Sequence, residues 1–149
     1  MGADLCGHIF VMPRKLTEAA AKRALARMNM LAASAKELRD ILDLGEGVNA
    51  ERDDFQLVHE YGEVFGMDLE DAADDLASLD PAAELANIRA FWKGEYRDQM
   101  WRRAPDNPRR RMIMAAGQQT WGDGPTEGSA WHVARRIVAL GLQSALNIE

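Results

Sequence analysis

The chain has one cysteine, Cys6, so no disulfide can form within it. A lone thiol beside eight methionines suits a reducing compartment, and the expected location is cytoplasmic. No apolar stretch approaches the ~20 residues that cross a bilayer. Ile9-Phe10-Val11-Met12 is too short for a signal-peptide core and has no basic residue before it. Met1-Gly2 would open a myristoylation signal, but that motif wants Ser or Thr where Cys6 stands. One cysteine and three histidines (His8, His59 and His132) form no ligand-spaced pair, which argues against zinc. Glycines occur in neither the Walker nor the dinucleotide-binding spacing. The expectation is therefore no metal and no cofactor. Internal repeats and low-complexity segments are absent as well.

What is present is an ordinary globular composition. The 149 residues are 47% hydrophobic and 28% charged, so a single globular domain over residues 1–149 is expected. Abundant Ala, Arg and Asp suit a GC-rich bacterial or phage genome. The net charge of −6 is strongly segregated. Residues 51–80 hold eleven acids and one base, whereas residues 89–111 hold eight bases and three acids. Residues 14–39 hold seven bases and two acids. Either these elements face each other, within the fold or across a dimer, or one pole meets a charged partner. On the second reading Glu70, Asp71, Asp74 and Asp75 form a partner-binding face.

Hydrophobic spacing predicts the elements. Residues 3–12 read as a strand with both faces largely buried, ended by Pro13. Thr17 can cap a long helix near 17–44, whose seam is Ala24, Met28, Leu31, Ala35, Leu38 and Leu42. A break near Ala33-Ser34 would give two helices, and Gly45 is the stop. Phe55, Val58, Gly62 and Phe65 mark a shorter helix ended by Gly66. Asp68 caps the next helix, with Leu69, Ala72, Ala73, Leu76 and Leu79 on its apolar face. Asp80-Pro81 starts another, with an apolar face of Leu85, Ile88, Trp92, Tyr96 and Met100. Residues 109–116 form a second strand, 117–128 a glycine-bearing loop, and Val133, Ile137 and Leu140 the face of a last helix. The fold class is thus α+β: a helix-rich domain on a small sheet. Leu31, Leu38, Leu42, Ile88, Trp92, Ile113 and Ile137 are the expected core.

Strand, glycine-bearing loop and helix, in that order, can hold an anion on backbone amides and a helix N-terminus. Trp121, Asp123, Thr126 and His132 would line such a ligand site. The structural alternative has Trp121 anchored in the core and Thr126 capping the last helix. Met114-Ala-Ala-Gly-Gln-Gln-Thr-Trp-Gly-Asp-Gly-Pro-Thr126 resembles the C-terminal end of short uncharacterised bacterial and phage proteins. There an apolar strand runs into a Gly-Gly-x-Ser-Trp-Gly-Asp-x-Pro-Thr loop. Gln118 and Thr120 depart from that pattern. The resemblance implies the strand–loop–helix order and no function.

Cys6 and His8 lie two apart on one face of the first strand, and with His132 and Asp123 they would make a nucleophilic set. No spacing demands it, and a buried apolar Cys6 is the plainer reading. Arg102-Arg103 and Arg109-Arg110-Arg111, near Trp101, could grip phosphates. An acidic chain with no legible nucleic-acid module argues against a nucleic-acid partner. The absences favour a non-catalytic accessory or regulatory protein, such as a phage- or mobile-element-derived inhibitor, that binds another protein through a charged helical surface. A homodimer is a further expectation, and no membrane contact is expected. The alternative is a small-molecule or phosphate-binding enzyme with its site in the 117–128 loop.

Overall fold

The computed structural model describes residues 4–45, 53–119 and 128–149. Among them the order is β1 (Asp4–Pro13), α1 (Glu18–Asp43), α2 (Asp53–Phe65), α3 (Leu69–Ala77), α4 (Pro81–Lys93), β2 (Gln99–Arg103), β3 (Arg110–Gln119) and α5 (Ala130–Ala139). The strands form one antiparallel sheet in the order β1-β3-β2, so the architecture is α+β. Two compact units make up the chain: Met1–Ala24 with Ala83–Glu149, and Leu25–Ala82.

The first unit is built on the sheet. Phe10 pairs with Ile113, and Ile113 with Trp101, while His8 pairs with Ala115. Alternation places these side chains on one face. There Phe10, Met12, Ile113 and Ala115 are buried. The amphipathic helix α5 packs on β3 and β1, burying Trp131, Val133 and Ile137. Phe91 of α4 meets Phe10 edge-on, with ring centroids 6.2 Å apart. The chain end is stitched to the outer edge of β1, where Val11 and Glu149 exchange backbone bonds of 3.0 and 2.8 Å. Arg110 clamps it, donating to the Glu149 carboxylate at 2.6 Å and to the Val11 and Asn147 carbonyls at 3.2 and 3.1 Å.

The second unit is helical. Residues from 25 onward in α1 bury Met28, Leu31, Ala35 and Leu38, as the seam predicts, and α1 runs unbroken through Ala33-Ser34. Leu42 is only half-buried, because it lies in the last turn. Helices α2 and α3 form a hairpin turned at Gly66, which has φ +68°. Gly62 permits their close approach, since a Cβ there would lie 2.9 Å from the Met67 carbonyl oxygen and 3.0 Å from the Ala72 Cβ. Asp68 caps α3, its carboxylate accepting from the Asp71 amide at 2.8 Å.

Three expectations need correction. Helix α4 stops at Lys93 and does not carry Tyr96 and Met100 on its face. Gly94 takes φ +81°, the Gly94 amide bonds back to Phe91 and the Glu95 amide to Ala90, and the chain enters β2. Met100 is consequently a strand residue, 47% exposed. The first strand is not buried on both faces: Ile9 is 62% exposed. The helices of this unit described above cover only the Phe10 side of the sheet. Finally, the N-cap of α5 is Ser129, not Thr126, with the Ser129 hydroxyl accepting from the His132 amide at 3.1 Å.

Candidate functional site

Of the four residues expected to line a loop site, Trp121, Asp123 and Thr126 lie outside the described residues. His132 sits on α5 beside a groove between α4 and α5 lined also by Glu84, Ile88 and Arg136. At about 10 Å³ that groove scarcely holds one water, which needs ~10–15 Å³. Its polar pair is internally satisfied, since Arg136 grips Glu84 at 2.6 and 3.4 Å. The ring of His8, one of the two histidines of the sketched nucleophilic set, stacks on Trp131 with centroids 4.5 Å apart and planes 17° from parallel. Among the described residues no three His, Cys, Asp or Glu side chains gather as a metal-binding set.

His8 carries a pH consequence. Burial, and secondarily the charge of Arg135, hold its pKa below the ordinary value of 6.5. The unfolded chain therefore binds a proton more readily than the fold. Stability present above about pH 6.5 should be lost as pH falls through the lowered folded pKa. The expected result is a melting temperature that drops between about pH 7 and 5 in the wild type and drops less in His8→Phe, which keeps a ring against Trp131. Identical pH profiles would remove His8 as the cause.

The acidic residues of α3 already have local roles. Asp74 pairs with Arg39 at 2.7 Å, and Asp75 accepts a short hydrogen bond from the Tyr61 hydroxyl. Glu70 and Asp71 occupy the first turn, where a helix dipole favours negative charge. All four are exposed.

Two other surfaces of the first unit stand out. One is the sheet face opposite Phe10 and Ile113. Its rows are Ile9–Met114–Met100 and Val11–Met112–Arg102, running from β1 across β3 to β2. Ile9 and Met100 are exposed, and Val11, Met112 and Met114 are half-exposed. A one-sided antiparallel sheet ordinarily turns polar residues to water. Five apolar side chains here make an unusual solvent face.

The other surface is a cleft of about 370 Å³ where the β1–α1 connection, α4 and β3 meet. Arg14, Lys15, Arg89, Lys93 and Arg111 line it, with Leu16 and Trp92 as apolar lining. Trp92 is fixed by its indole N–H, which donates to the Pro13 carbonyl at 3.0 Å. Arg111 is equally fixed. Its guanidinium lies 3.9 Å over the Trp101 ring and donates to the carbonyls of Trp92 and Arg14, at 2.5 and 3.1 Å. Its Nε is buried and unpartnered. Burial and the Arg14 charge both pull the Arg111 pKa below its ordinary value. Arg89 pairs with Glu18 at 3.4 Å. Among the described residues no carboxylate pairs with Arg14, Lys15, Lys93 or Arg111.

In the sequence the arginines near Trp101 are a candidate phosphate grip that the acidic chain argues against. The structure divides them: Arg111 braces the cleft, Arg110 clamps the chain end, and Arg102 and Arg103 are exposed. The cleft went unseen because its cations come from three separated segments. The one local signal was Arg89 and Lys93, four apart on one face of α4.

No described helix is long and apolar enough to cross a membrane. No protein-family model, curated protein or solved structure matches the chain.

Proposed function

We propose that the protein is a non-catalytic accessory or regulatory protein that acts by binding another protein chain, with the open sheet face as its contact surface. One observation carries this reading: an apolar row, Ile9–Met114–Met100, crosses all three strands on the uncovered side. Methionines suit such a surface because their unbranched side chains adapt to a partner. The acidic face of α3 has less need of a partner, since Asp74 and Asp75 are engaged within the chain.

The occupant that this face fits is a second copy. A two-fold axis in the contact plane along β3 sets Met114 against its own copy and β1 against β2 of the second chain. Ile9 then meets Met100. Arg102 meets Val11 and comes beside the exposed Glu149 side chain, whose carboxylate pairs with Arg110 of its own chain at 2.6 Å and is shared between the two arginines. At a strand spacing of ~4.8 Å and ~3.3 Å per residue, the two rows cover roughly 200 Å². A standard interface buries about 800 Å² per partner, so a weak dimer follows, to be sought at about 0.1–1 mM.

Sedimentation across that concentration range should show the dimer. Met100→Glu with Met114→Glu should leave only monomer at an unchanged melting temperature, because both side chains already reach solvent. A wild type that stays monomeric at about 1 mM would overturn the reading.

A further inference from the structure

We propose that the cleft between the β1–α1 connection, α4 and β3 is a binding site for a small organic phosphate. The argument begins from charge. In a chain of net charge −6, five cations are held around one recess, and four of them have no carboxylate partner among the described residues. Like charges gathered at one place repel, and nothing in the fold requires Arg14, Lys15 or Lys93 to stand there. All three are exposed. They gain from standing together only when an anion sits between them.

The arrangement is suited to phosphate in particular. Arg111 cannot swing away, because Trp101 stacks on it and two carbonyls hold one of its nitrogens. It therefore presents a fixed positive charge, and no ordering of that side chain opposes binding. Arg14, Lys15 and Lys93 are long and mobile donors that can close on several oxygens of one dianion. A carboxylate offers two oxygens and one charge, too few for four cations. The volume, about 370 Å³, falls in the range of small-molecule pockets, ~300–1,000 Å³. The half-buried Leu16 supplies an apolar wall for the rest of the molecule. The surface lies on the opposite side of the sheet from the Met114 face, so the two activities are separable by mutation.

The test is titration of the full chain at low salt with adenosine 5′-monophosphate and glycerol 3-phosphate. Adenosine and glycerol serve as phosphate-free controls, and a short single-stranded RNA as a polymeric one. Heat and amide shifts at Lys15, Leu16 and Lys93 are the readouts. The expected result is saturable binding of at least one phosphate compound, with no response to the phosphate-free controls. Arg14→Gln with Lys93→Gln should weaken binding by about tenfold or more at an unchanged melting temperature and oligomeric state, since each removes a charge-assisted contact. Binding should also fall as salt rises. No response to any phosphate compound up to about 10 mM would overturn the proposal. So would binding that the double variant leaves intact. RNA bound far more tightly than either small phosphate, through the same residues, would overturn the small-molecule assignment.

Discussion

Gly94→Ala should destabilise the first unit by about 3 kcal/mol or more, an unusually large effect for adding one methyl group. Two costs combine. The backbone at Gly94 has φ +81°, a left-handed conformation that costs a non-glycine residue ~1–2 kcal/mol. A Cβ there would also stand 2.4 Å from Trp101 Nε1 and 2.9 Å from Gln99 Nε2. Neither neighbour yields cheaply. Trp101 is held under the Arg111 guanidinium at 3.9 Å, and both Gln99 and Trp101 belong to β2. Relief of the clash therefore displaces an edge strand. Gly66 separates the two costs, because its φ is +68° and a Cβ there meets nothing within 4 Å. Gly66→Ala should cost about 1 kcal/mol. Urea unfolding of both variants measures the difference, and equal losses would mean that Trp101 does not pack over Gly94.

Gly94 also explains where sequence reading and structure part. The spacing Ile88, Trp92, Tyr96, Met100 continues a helical period across the glycine, so periodicity alone extends α4 by two turns. The competing signal was the glycine, which permits a left-handed helix end that no side chain could adopt without strain. Beyond it, Gln99, Met100, Trp101 and Arg102 alternate inward and outward. Five residues are too few for that alternation to outweigh the longer helical pattern. Losing β2 meant losing the third strand, and so the breadth of the open sheet face.

Elsewhere the local signals were sufficient. Thr17 accepts from the Ala20 amide at 3.1 Å, Asp68 caps α3, and Gly45 and Gly66 end their helices in left-handed conformations. Such signals are encoded within a few residues and survive in the sequence. Leu31, Leu38, Ile88, Ile113 and Ile137 are all buried, because each sits well inside a periodic element, and Trp92, in the last turn of α4, is buried with its indole N–H tied to the Pro13 carbonyl. The open face was illegible for a different reason. The apolar alternation of β1 says that two faces are apolar, and it does not say how many helices are available to cover them. The cationic cleft was illegible because residues 14, 93 and 111 are brought together only by the pairing of β1 with β3 and the seating of α4.

Phe91 is the other position from which a large loss is expected, and it too fell outside the predicted face of α4. It is fully buried. Its ring meets Phe10 of β1 nearly perpendicularly, at 86°, and lies 6.5 Å from both Trp101 of β2 and Tyr96 of the connecting turn. It thus touches two strands and the turn that replaces the expected end of the helix. Phe91→Ala should cost ~3–5 kcal/mol, the range for removing a buried ring whose surroundings cannot collapse. Collapse is resisted here because Trp92, the next residue, is tied to the Pro13 carbonyl, and Trp101 is tied to Arg111. Phe91→Leu keeps most of the volume and should cost about 1 kcal/mol. The pair is measured by urea unfolding alongside near-ultraviolet circular dichroism, where a loosened Trp101 loses its signal. A loss under about 1 kcal/mol in Phe91→Ala, with that signal unchanged, would show that α4 does not seat on the sheet through this ring.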